Sequence, residues 1–301
     1  MIVVKLMGGL GNQMFQYAFS RELAKMYGEE VCYDIDSYAT DKQRNLALYS
    51  LDVPNLLNWR DVFSESERAR ICKEQKIYRV LQRVMRAIHH SDRVGEGLYK
   101  RYLKKGRYYN FDPYFYSLPI LNAPVKVAYG YFQGEPYFSD VIDEVKQKFS
   151  ISMPIKEESE LLERIKNCNA ICIHLRVGDY KNAKNRRFDV LTPEYVQRGI
   201  NYIKERIENP VFFVFTNDQN AVKEQFKLQD SIYINGFKDY QDMRLMLSCK
   251  HFIISNSTFS WWISYLSENP DKIVIVPKKW RNNQEAEPAL METNNITYVR
   301  L

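Results

Sequence analysis

Short hydrophobic runs alternate along the chain with stretches in which apolar residues recur every three or four positions. The runs predict buried strands, and the longer stretches predict helices. Strands are predicted at residues 2–6, 31–34, 125–131, 170–174, 211–216, 231–234, 251–255 and 272–276, and helices at 13–27, 193–208 and 240–248. This alternation favours an α/β fold built on mostly parallel sheets.

The length of the chain suits two domains. Its 301 residues allow two domains of about 150 residues each. The polar stretch 152–160 contains Pro154 and precedes a new helix, so it is the predicted linker. We expect an N-terminal domain over 1–153 with a basic helical insert near 60–107, and a C-terminal domain over 154–285. Residues 286–301 are then a tail, whose ITYVRL ending could form a last strand.

One segment carries the positive charge. The net charge is +6, and residues 68–107 hold 13 Lys and Arg against three acids. Apolar residues recur in this segment at helical spacing, which predicts an amphipathic helix with a solvated basic outer face. The apolar positions are Ile71, Ile77, Leu81, Val84 and Ile88. A second, compatible interpretation is a patch attracted to an anionic membrane surface, at the inner membrane face, or to a polyanionic acceptor.

Composition excludes several classes of protein. With 45% hydrophobic and 14% aromatic residues, the chain is not disordered. It has no apolar run of about 18 residues and opens directly on a strand, so we expect a cytoplasmic protein. The five cysteines are odd in number and dispersed, which predicts buried free thiols rather than a zinc site. No nucleic-acid partner is expected.

Polar side chains follow three of the predicted strands. They are His174, Arg176 and Asp179, then Asn217 and Asp218, and then residues 255–260. Because parallel strands deliver their carboxyl ends to one edge of a sheet, we expect these side chains at one binding rim.

The third of these groups opens a helix. Ser257, Thr258 and Ser260 could cap its free N–H groups, and the same helix start could bind an anion through those groups and the helix dipole. A guanidinium from Arg176 aimed at this turn would hold a diphosphate bidentately. The combination predicts a nucleotide-diphosphate ligand.

A glycine-rich loop separates the first strand from the first helix. Gly8, Gly9 and Gly11 would let a ligand approach the backbone, and Asn12 and Gln13 would offer amide groups at the helix start. The loop lacks the third glycine of a dinucleotide fingerprint and the Gly-Lys-Ser/Thr ending of a P-loop. We therefore expect it to line a cleft opposite the nucleotide site.

A metal site is the competing interpretation. Asp34-x-Asp36 follows a short strand, an arrangement that holds a divalent metal against the diphosphate in many sugar-nucleotide enzymes of a different fold. Hard cations usually need further oxygen ligands. A loop carboxylate or helix cap is therefore favoured, and no metal is predicted.

Six motifs occur in order between residues 8 and 280. They are GGLGNQMFQYAFS (8–20), GYFQGEPYF (130–138), HLRVGDY (174–180), FVFTND (213–218), DMRLMLSCKHFIISNSTFSWW (242–262) and VPKKW (276–280). Together they resemble the α-1,2-fucosyltransferases of glycosyltransferase family 11. The resemblance implies a GT-B-like α/β fold in which two Rossmann-like domains face a central cleft. It also implies that the nucleotide binds the C-terminal half and the acceptor chiefly the N-terminal half.

The activity that this resemblance implies is transfer of L-fucose from GDP-β-L-fucose to the 2-hydroxyl of a terminal galactose. The acceptor would be an oligosaccharide or a lipid-linked glycan of O-antigen or capsule biosynthesis. The reaction would invert the anomeric carbon and require no metal or other cofactor. The alternatives are a metal-dependent transferase that uses another sugar nucleotide and a non-catalytic glycan-binding protein.

The resemblance also assigns roles to residues. Arg176 matches the arginine expected on the β-phosphate, Asp242 the guanine-reading carboxylate, and Ser257 to Ser260 the phosphate-facing turn. Among the other polar residues at the strand ends, Asn217 and Asp218 are expected at the nucleotide, and His174 is expected either at the nucleotide or in a structural hydrogen bond. Asp179, the nearest motif carboxylate, is either the catalytic base or a partner that orients Arg176 or His174. Val177 stands where the family usually has a second arginine. On the acceptor side, aromatic-rich segments offer Tyr131, Gln133 and Tyr137.

Overall fold

The computed structural model describes residues 1–41, 43–90, 95–177, 188–282, 284, 288–291, 293 and 296–301. The chain divides into two compact units. Unit 1 comprises Met1–Ser150 with Glu285–Thr293, and unit 2 comprises Ile151–Gln284 with Asn294–Leu301. Each unit is built on a parallel sheet flanked by helices, which confirms the predicted α/β class with two Rossmann-like sheets.

The sheet of unit 1 has the strand order β2-β1-β4-β3. Its strands are β1 (Ile2–Lys5), β2 (Val31–Asp34), β3 (Arg107–Asn110) and β4 (Lys126–Gly130). The helices of this unit are α1 (Leu10–Tyr27), α2 (Glu65–His89), α3 (Gly95–Leu103) and α4 (Ile142–Lys148). Strand residues such as Val3, Cys32 and Val127 are fully buried, as expected for a parallel sheet that is covered by helices.

Helix α2 differs from its prediction in the face that it buries. Of the five apolar positions expected on its inner face, Ile71 is buried, whereas the other four are 37% exposed or more. The inner face is formed instead by Gln75, Tyr78 and Gln82 together with Ile71. The Tyr78 hydroxyl donates to the carbonyl of Tyr109, and Gln82 Nε2 donates to Asp112 at 3.2 Å. Polar partners on and after β3 therefore decide the orientation of the helix.

Asp112 is a buried carboxylate that ties several segments of unit 1 together. It pairs with Arg86 of α2, and it accepts hydrogen bonds from the Gly95 amide at 2.8 Å and the Tyr116 hydroxyl at 2.8 Å. A partly buried ion pair of this kind stabilises the fold only while both partners are present.

The segment Glu285–Thr293 returns to unit 1 late in the sequence. The amide of Ala289 donates to the carbonyl of Pro113 at 2.8 Å, and the Thr293 hydroxyl donates to the buried Glu135 at 2.9 Å. At Gly134 an added Cβ would come within 2.6 Å of the Ala289 backbone, so only glycine permits this close approach.

The sheet of unit 2 has the order β10-β9-β8-β5-β6-β7. Its strands are β5 (Asn169–Leu175), β6 (Pro210–Thr216), β7 (Ser231–Ile234), β8 (His251–Ile254), β9 (Val274–Val276) and β10 (Tyr298–Arg300). The helices are α5 (Ser159–Lys166), α6 (Pro193–Lys204), α7 (Gln219–Phe226), α8 (Asp239–Leu247) and α9 (Thr258–Leu266). The ITYVRL ending thus forms the anticipated last strand. In the described ranges, none of the helices in either unit combines the length and the apolar content that a membrane span requires.

The predicted linker is held to α8 by a buried carboxylate. Glu158 is fully buried, pairs with Arg244 and accepts from Gln241 Nε2 at 2.7 Å. The Arg244 guanidinium also donates to the carbonyls of Met153 and Pro154. These contacts attach residues 153–158 to the body of unit 2.

Candidate active site

The carboxyl ends of three neighbouring strands of unit 2 meet at one edge of the sheet. Strand β5 pairs in parallel with β6 and with β8, which places His174 beside Phe215 and Ile254. The Ser255 amide donates to the His174 carbonyl at 2.9 Å. On the other side, the Val177 amide donates to Asn217 Oδ1 at 3.2 Å. Within the described residues, the structure therefore brings His174, Asn217 and Ser255 to one edge of the sheet.

His174 connects the end of β5 to the first turn of α9. Its Nδ1 is hydrogen-bonded to the Ser260 hydroxyl, which lies 3.2 Å from the Ser255 hydroxyl. Burial, followed by the nearby charge of Arg176, lowers the pKa of His174 to about 3. The imidazole is therefore neutral at physiological pH and is a weak base, so it suits positioning better than proton transfer.

The first turn of α9 resembles a turn that can receive an anion. Ser257 is the extended residue before the helix, and its side chain makes no capping hydrogen bond within the described part of the chain. Ser257 and Ser260 are buried, whereas Thr258 is partly exposed. Helix starts attract anions through their free N–H groups and the dipole. Behind the turn, Trp261 stacks on Tyr265 with ring centroids 4.5 Å apart, which gives the helix a rigid base.

Arg176 follows β5 directly and is partly exposed. Its positive charge contributes to the low pKa of His174. Val177 is buried in the hydrophobic core of unit 2. The predicted catalytic residue Asp179 lies outside the described residues.

Asp218 has a structural partner of its own. Its carboxylate accepts the Ala221 amide at 3.0 Å and caps α7. The cap is a sufficient reason for an acid at this position. Asn217, the preceding residue, is exposed and holds the Val177 amide through its side chain. Of the two, Asn217 is the one that the structure joins to the end of β5.

Asp242 lies in the first turn of α8 and is only partly exposed. Burial, with a contribution from the neighbouring charge of Asp239, raises the pKa of Asp242 to about 7. A carboxylate that is destabilised in this way gains from a ligand that offers N–H donors, such as a guanine edge. Its predicted role remains a prediction, and the raised pKa makes that role testable.

The glycine loop of unit 1 is organised by Gln13. Gly8 has φ +81°, which glycine adopts without strain, and Gly9 precedes the first residue of α1. Gln13 is fully buried. Its Nε2 donates to the carbonyls of Gly8 at 2.9 Å and Asn45 at 2.8 Å, and its Oε1 accepts the Ala47 amide at 2.9 Å. These contacts commit the Gln13 amide to holding the loop, so it is not one of the groups left to meet a ligand.

Asn12 connects the first two motifs. Its Oδ1 accepts a hydrogen bond from Gln133 Nε2 at 2.9 Å, and both side chains are partly exposed. Tyr131 is partly exposed as well. Tyr137, by contrast, is 1% exposed, and its hydroxyl contacts Asn110 and the Tyr114 carbonyl. The structure therefore places Tyr137 in the core, away from any glycan, and leaves Tyr131 and Gln133 on the surface.

Both carboxylates of the Asp34-x-Asp36 stretch are already paired with cations. Asp34 is buried and accepts from Lys5 Nζ at 2.6 Å, while Asp36 accepts from Arg60 Nε at 2.7 Å. Asp34 Oδ1 also accepts the Asp36 amide at 3.1 Å. Within the described ranges, no three His, Cys, Asp or Glu side chains form a group that could hold a metal ion.

Two further residues lie near these sites: Arg44, which was not predicted, and Asn256, which was predicted only as part of residues 255–260. The Arg44 guanidinium lies beside Gly9, where an added Cβ would be 3.6 Å from Nη1. Asn256 precedes the α9 turn, and its Nδ2 donates to the carbonyls of Phe188 and Trp280, each at 2.9 Å. Asn256 thereby ties the α9 turn to the VPKKW motif. Arg44 lies far from the glycine loop in the sequence, so no local sequence pattern identifies it in advance.

Comparison with known proteins identifies a family and several relatives. A sequence profile described as Glycosyl transferase family 11 matches residues 1–298. The O-antigen biosynthesis glycosyltransferase WbnK of Escherichia coli is 30% identical over 294 residues, which cover 91% of this chain and 93% of that protein. An alpha-1,2-colitosyltransferase of Escherichia coli is 29% identical over 294 residues, with 94% and 93% covered.

The fold has a relative among solved structures. The crystal structure of fucosyltransferase NodZ from Bradyrhizobium superposes with a TM-score of 0.55 at 15% identity, and the match covers 91% of this chain and 94% of NodZ. This likeness shows a shared fold. Because the family profile spans nearly the whole chain, the chain belongs to glycosyl transferase family 11.

Proposed function

We propose that this glycosyltransferase moves L-fucose from GDP-β-L-fucose to the 2-hydroxyl of a terminal galactose and forms an α-1,2 linkage. The observation that carries the proposal is the hydrogen bond between His174 and Ser260. It fixes the end of β5, which Arg176 follows directly, against the start of α9, so an arginine residue and a helix N-terminus share one rim. Both groups favour a diphosphate.

The chemical step requires charge stabilisation at the leaving group. The acceptor oxygen attacks the anomeric carbon as the bond from that carbon to the β-phosphate oxygen breaks, and the electron pair of that bond remains on GDP. Donors fixed at this oxygen bind the transition state more tightly than the ground state. We assign this role to Arg176 and to the backbone N–H groups of the α9 turn. Attack from the opposite face converts the β-linked donor to an α-linked product.

The proton of the acceptor hydroxyl needs a base. His174 is a poor candidate because its pKa lies at about 3 and its Nδ1 is occupied by Ser260. We therefore retain Asp179 for this role, with orientation of Arg176 as its alternative. The Asp179→Asn variant separates the two roles. If Asp179 is the base, the variant should transfer sugar more slowly while its affinity for GDP stays unchanged. If Asp179 orients Arg176, the affinity for GDP should fall as well.

The relatives support the α-1,2 linkage and suggest two candidate donor sugars, fucose and colitose. One relative is named for α-1,2 transfer of colitose, and NodZ has been crystallised with GDP-fucose soaked in. The six motifs in this chain resemble fucosyltransferases, so fucose is our first donor. Colitose is the second candidate because the colitosyl relative matches along nearly the full length.

For the acceptor we propose a galactose-terminated repeat unit of a surface polysaccharide, made on the cytoplasmic side of the membrane. The O-antigen relative supports this class of glycan. Within unit 1, Tyr131 and the Asn12–Gln133 pair offer a ring and two amides, which is a combination that suits a sugar.

The test offers purified enzyme GDP-fucose, nucleotide-activated colitose, GDP-mannose and UDP-galactose, with lactose or Galβ1-3GalNAc as acceptor and with or without EDTA. We expect fucose transfer that is insensitive to EDTA, with the new α-1,2 bond identified by NMR of the product. Transfer of colitose in preference to fucose would replace the donor in the proposal. Transfer only from the other donors, or only with a metal, would overturn it.

A further inference from the structure

Helix α2 exposes a row of apolar side chains. Ile77, Val80, Leu81, Val84 and Ile88 are 45%, 56%, 37%, 49% and 66% exposed. With 3.6 residues per turn, these positions fall within about 100° of the helix surface and extend over about 16 Å along its axis. We refer to these five residues as the apolar stripe. Isolated exposed apolar residues are normal, but a contiguous row of them indicates an interaction surface.

Basic side chains lie on the same outward side of α2. Arg70, Lys73, Lys76 and Arg83 are exposed, and we refer to these four residues as the basic flank. The sequence contains no acid from Gln75 to His90. Glu74, the last acid before this stretch, is paired with Arg107 at 2.7 Å.

The other two arginines in this part of α2 have structural partners. The Arg79 guanidinium lies 4.0 Å from the centre of the Phe111 ring, and Arg86 pairs with the buried Asp112. The helix thus separates two sets of cations, of which one holds the fold of unit 1 together and the other faces outward beside the apolar stripe.

Charge identifies the occupant of this face. A second copy of the chain, packed on the stripe through a two-fold axis, would bring two basic flanks together, and such like-charge contacts are costly. An anionic bilayer offers both complements at once, namely phosphate groups for the flank and acyl chains for the stripe. We propose that the outward face of α2 docks unit 1 onto an anionic lipid surface. This proposal goes beyond the transferase activity and does not depend on the identity of donor or acceptor.

The dimensions of the helix agree with this mode of binding. Amphipathic helices lie in the plane of the interface with the apolar face inserted about 5–10 Å. Long Lys and Arg side chains can reach the headgroups while their carbon stems stay against the apolar region. A basic residue close to an anionic surface contributes about fivefold to partitioning, so loss of the whole flank is expected to weaken binding on the order of several hundredfold.

The experiment measures sedimentation of the full-length protein with vesicles of equal parts phosphatidylglycerol and phosphatidylcholine, and with vesicles of phosphatidylcholine alone. A stripe variant combines Ile77→Gln, Val84→Gln and Ile88→Gln. A flank variant and a control variant each replace two arginines and two lysines by glutamine. The flank variant changes Arg70, Lys73, Lys76 and Arg83, and the control variant changes the exposed Arg164, Lys166, Arg198 and Lys204 of unit 2.

We expect the wild type and the control variant to bind the anionic vesicles and not the neutral ones, and we expect the flank variant to lose binding. The stripe variant should bind at least about tenfold more weakly, because the apolar insertion is lost. Circular dichroism and transfer to a soluble acceptor should be unchanged in all three variants, since each altered side chain is exposed.

Three outcomes would overturn the proposal. Equal loss of binding in the flank and control variants would show only a response to net charge. Full binding by the stripe variant would show that the apolar stripe does not insert into the bilayer. Sedimentation of the wild type as a dimer that the stripe variant converts to a monomer, without vesicle binding, would assign the face to a second copy of the chain.

Discussion

The raised pKa of Asp242 predicts a specific pH dependence of nucleotide binding. If guanine is read by the ionised carboxylate, only the deprotonated enzyme binds well. With a pKa of about 7, affinity should be nearly constant above pH 8 and should fall as the pH drops through 7. The fraction of ionised Asp242 decreases about tenfold between pH 8 and pH 6, so the dissociation constant should rise about tenfold over that interval.

Calorimetry with GDP-fucose is the suitable assay, because both phosphates of this ligand stay singly ionised near neutrality and do not contribute to the profile. The Asp242→Asn variant should bind weakly and show no such dependence. Asp239→Asn is the finer test, because Asp239 helps to raise the pKa of Asp242. Removal of that charge should move the midpoint of the profile to lower pH without loss of affinity at pH 8.

Stability provides the control for correct folding. The folded-state pKa of Asp242 lies above its ordinary value of 3.8, so its ionisation opposes folding as the pH rises from about 4 to 7. The Asp242→Asn variant should therefore melt at or above the wild-type temperature at pH 8 and should show no gain at pH 4. A wild-type dissociation constant that is the same at pH 8 and pH 6, or a tenfold dependence retained in Asp242→Asn, would refute the assigned role.

The remaining predictions concern the diphosphate, the metal and the core. Arg176→Ala should lower turnover by at least about 100-fold, and Arg176→Lys should recover only part of it because the bidentate geometry is lost; near-normal turnover in Arg176→Ala would contradict the mechanism. EDTA should leave initial transfer rates unchanged, and recovery of lost activity by added Mg²⁺ or Mn²⁺ would disprove metal independence. In urea unfolding, the free energy of unfolding of the Asp112→Asn variant should be about 3 kcal/mol lower than that of the wild type, because Arg86 is left without a counter-ion. The Asp36→Asn variant, which removes one partner of an exposed ion pair, should lose less than about 1 kcal/mol of unfolding free energy. Equal losses in the two variants would contradict the expected difference between the buried and the exposed pair.

Most strands were predictable because parallel strands covered on both faces appear in the sequence as apolar runs. The exception is β3, Arg107–Asn110, whose aromatic RYYN stretch suits a core strand as well as a sugar-contact surface and was not among the predicted strands. Its aromatic rings belong largely to the core, since Tyr108 and Tyr109 are fully buried. Aromatic residues suit both settings, and only the partners of the strand distinguish them.

The orientation of α2 could not be read from periodicity. The spacing of its apolar residues correctly predicts a helix with two faces, but the inner face is the one that finds partners for Gln82 and Tyr78. Those partners are Asp112 and the carbonyl of Tyr109, which are distant in sequence. Hydrophobic patterning alone assigns the more apolar face to the core, and here specific hydrogen bonds outweigh it.

The candidate site shows the same limits. The succession of strands was sufficient to place His174, Asn217 and the α9 turn on one edge, because polar residues at the ends of neighbouring parallel strands share a rim. The hydrogen-bond partners of individual side chains could not be predicted from the sequence. Gln13 and Asp218 carry the residue types of ligand-binding groups, yet the structure uses the first to hold a loop and the second to cap a helix.

The late return of Glu285–Thr293 to unit 1 affects the order in which this chain can fold during synthesis. Unit 1 begins at the first residue but is completed only after the 134 residues of Ile151–Gln284 have been translated. At about 5–20 residues per second, this delay lasts roughly 7 to 27 seconds. During that time Gly134, the Pro113 carbonyl and Glu135 lack the segment that covers them, so unit 1 stays incomplete while most of unit 2 is being made.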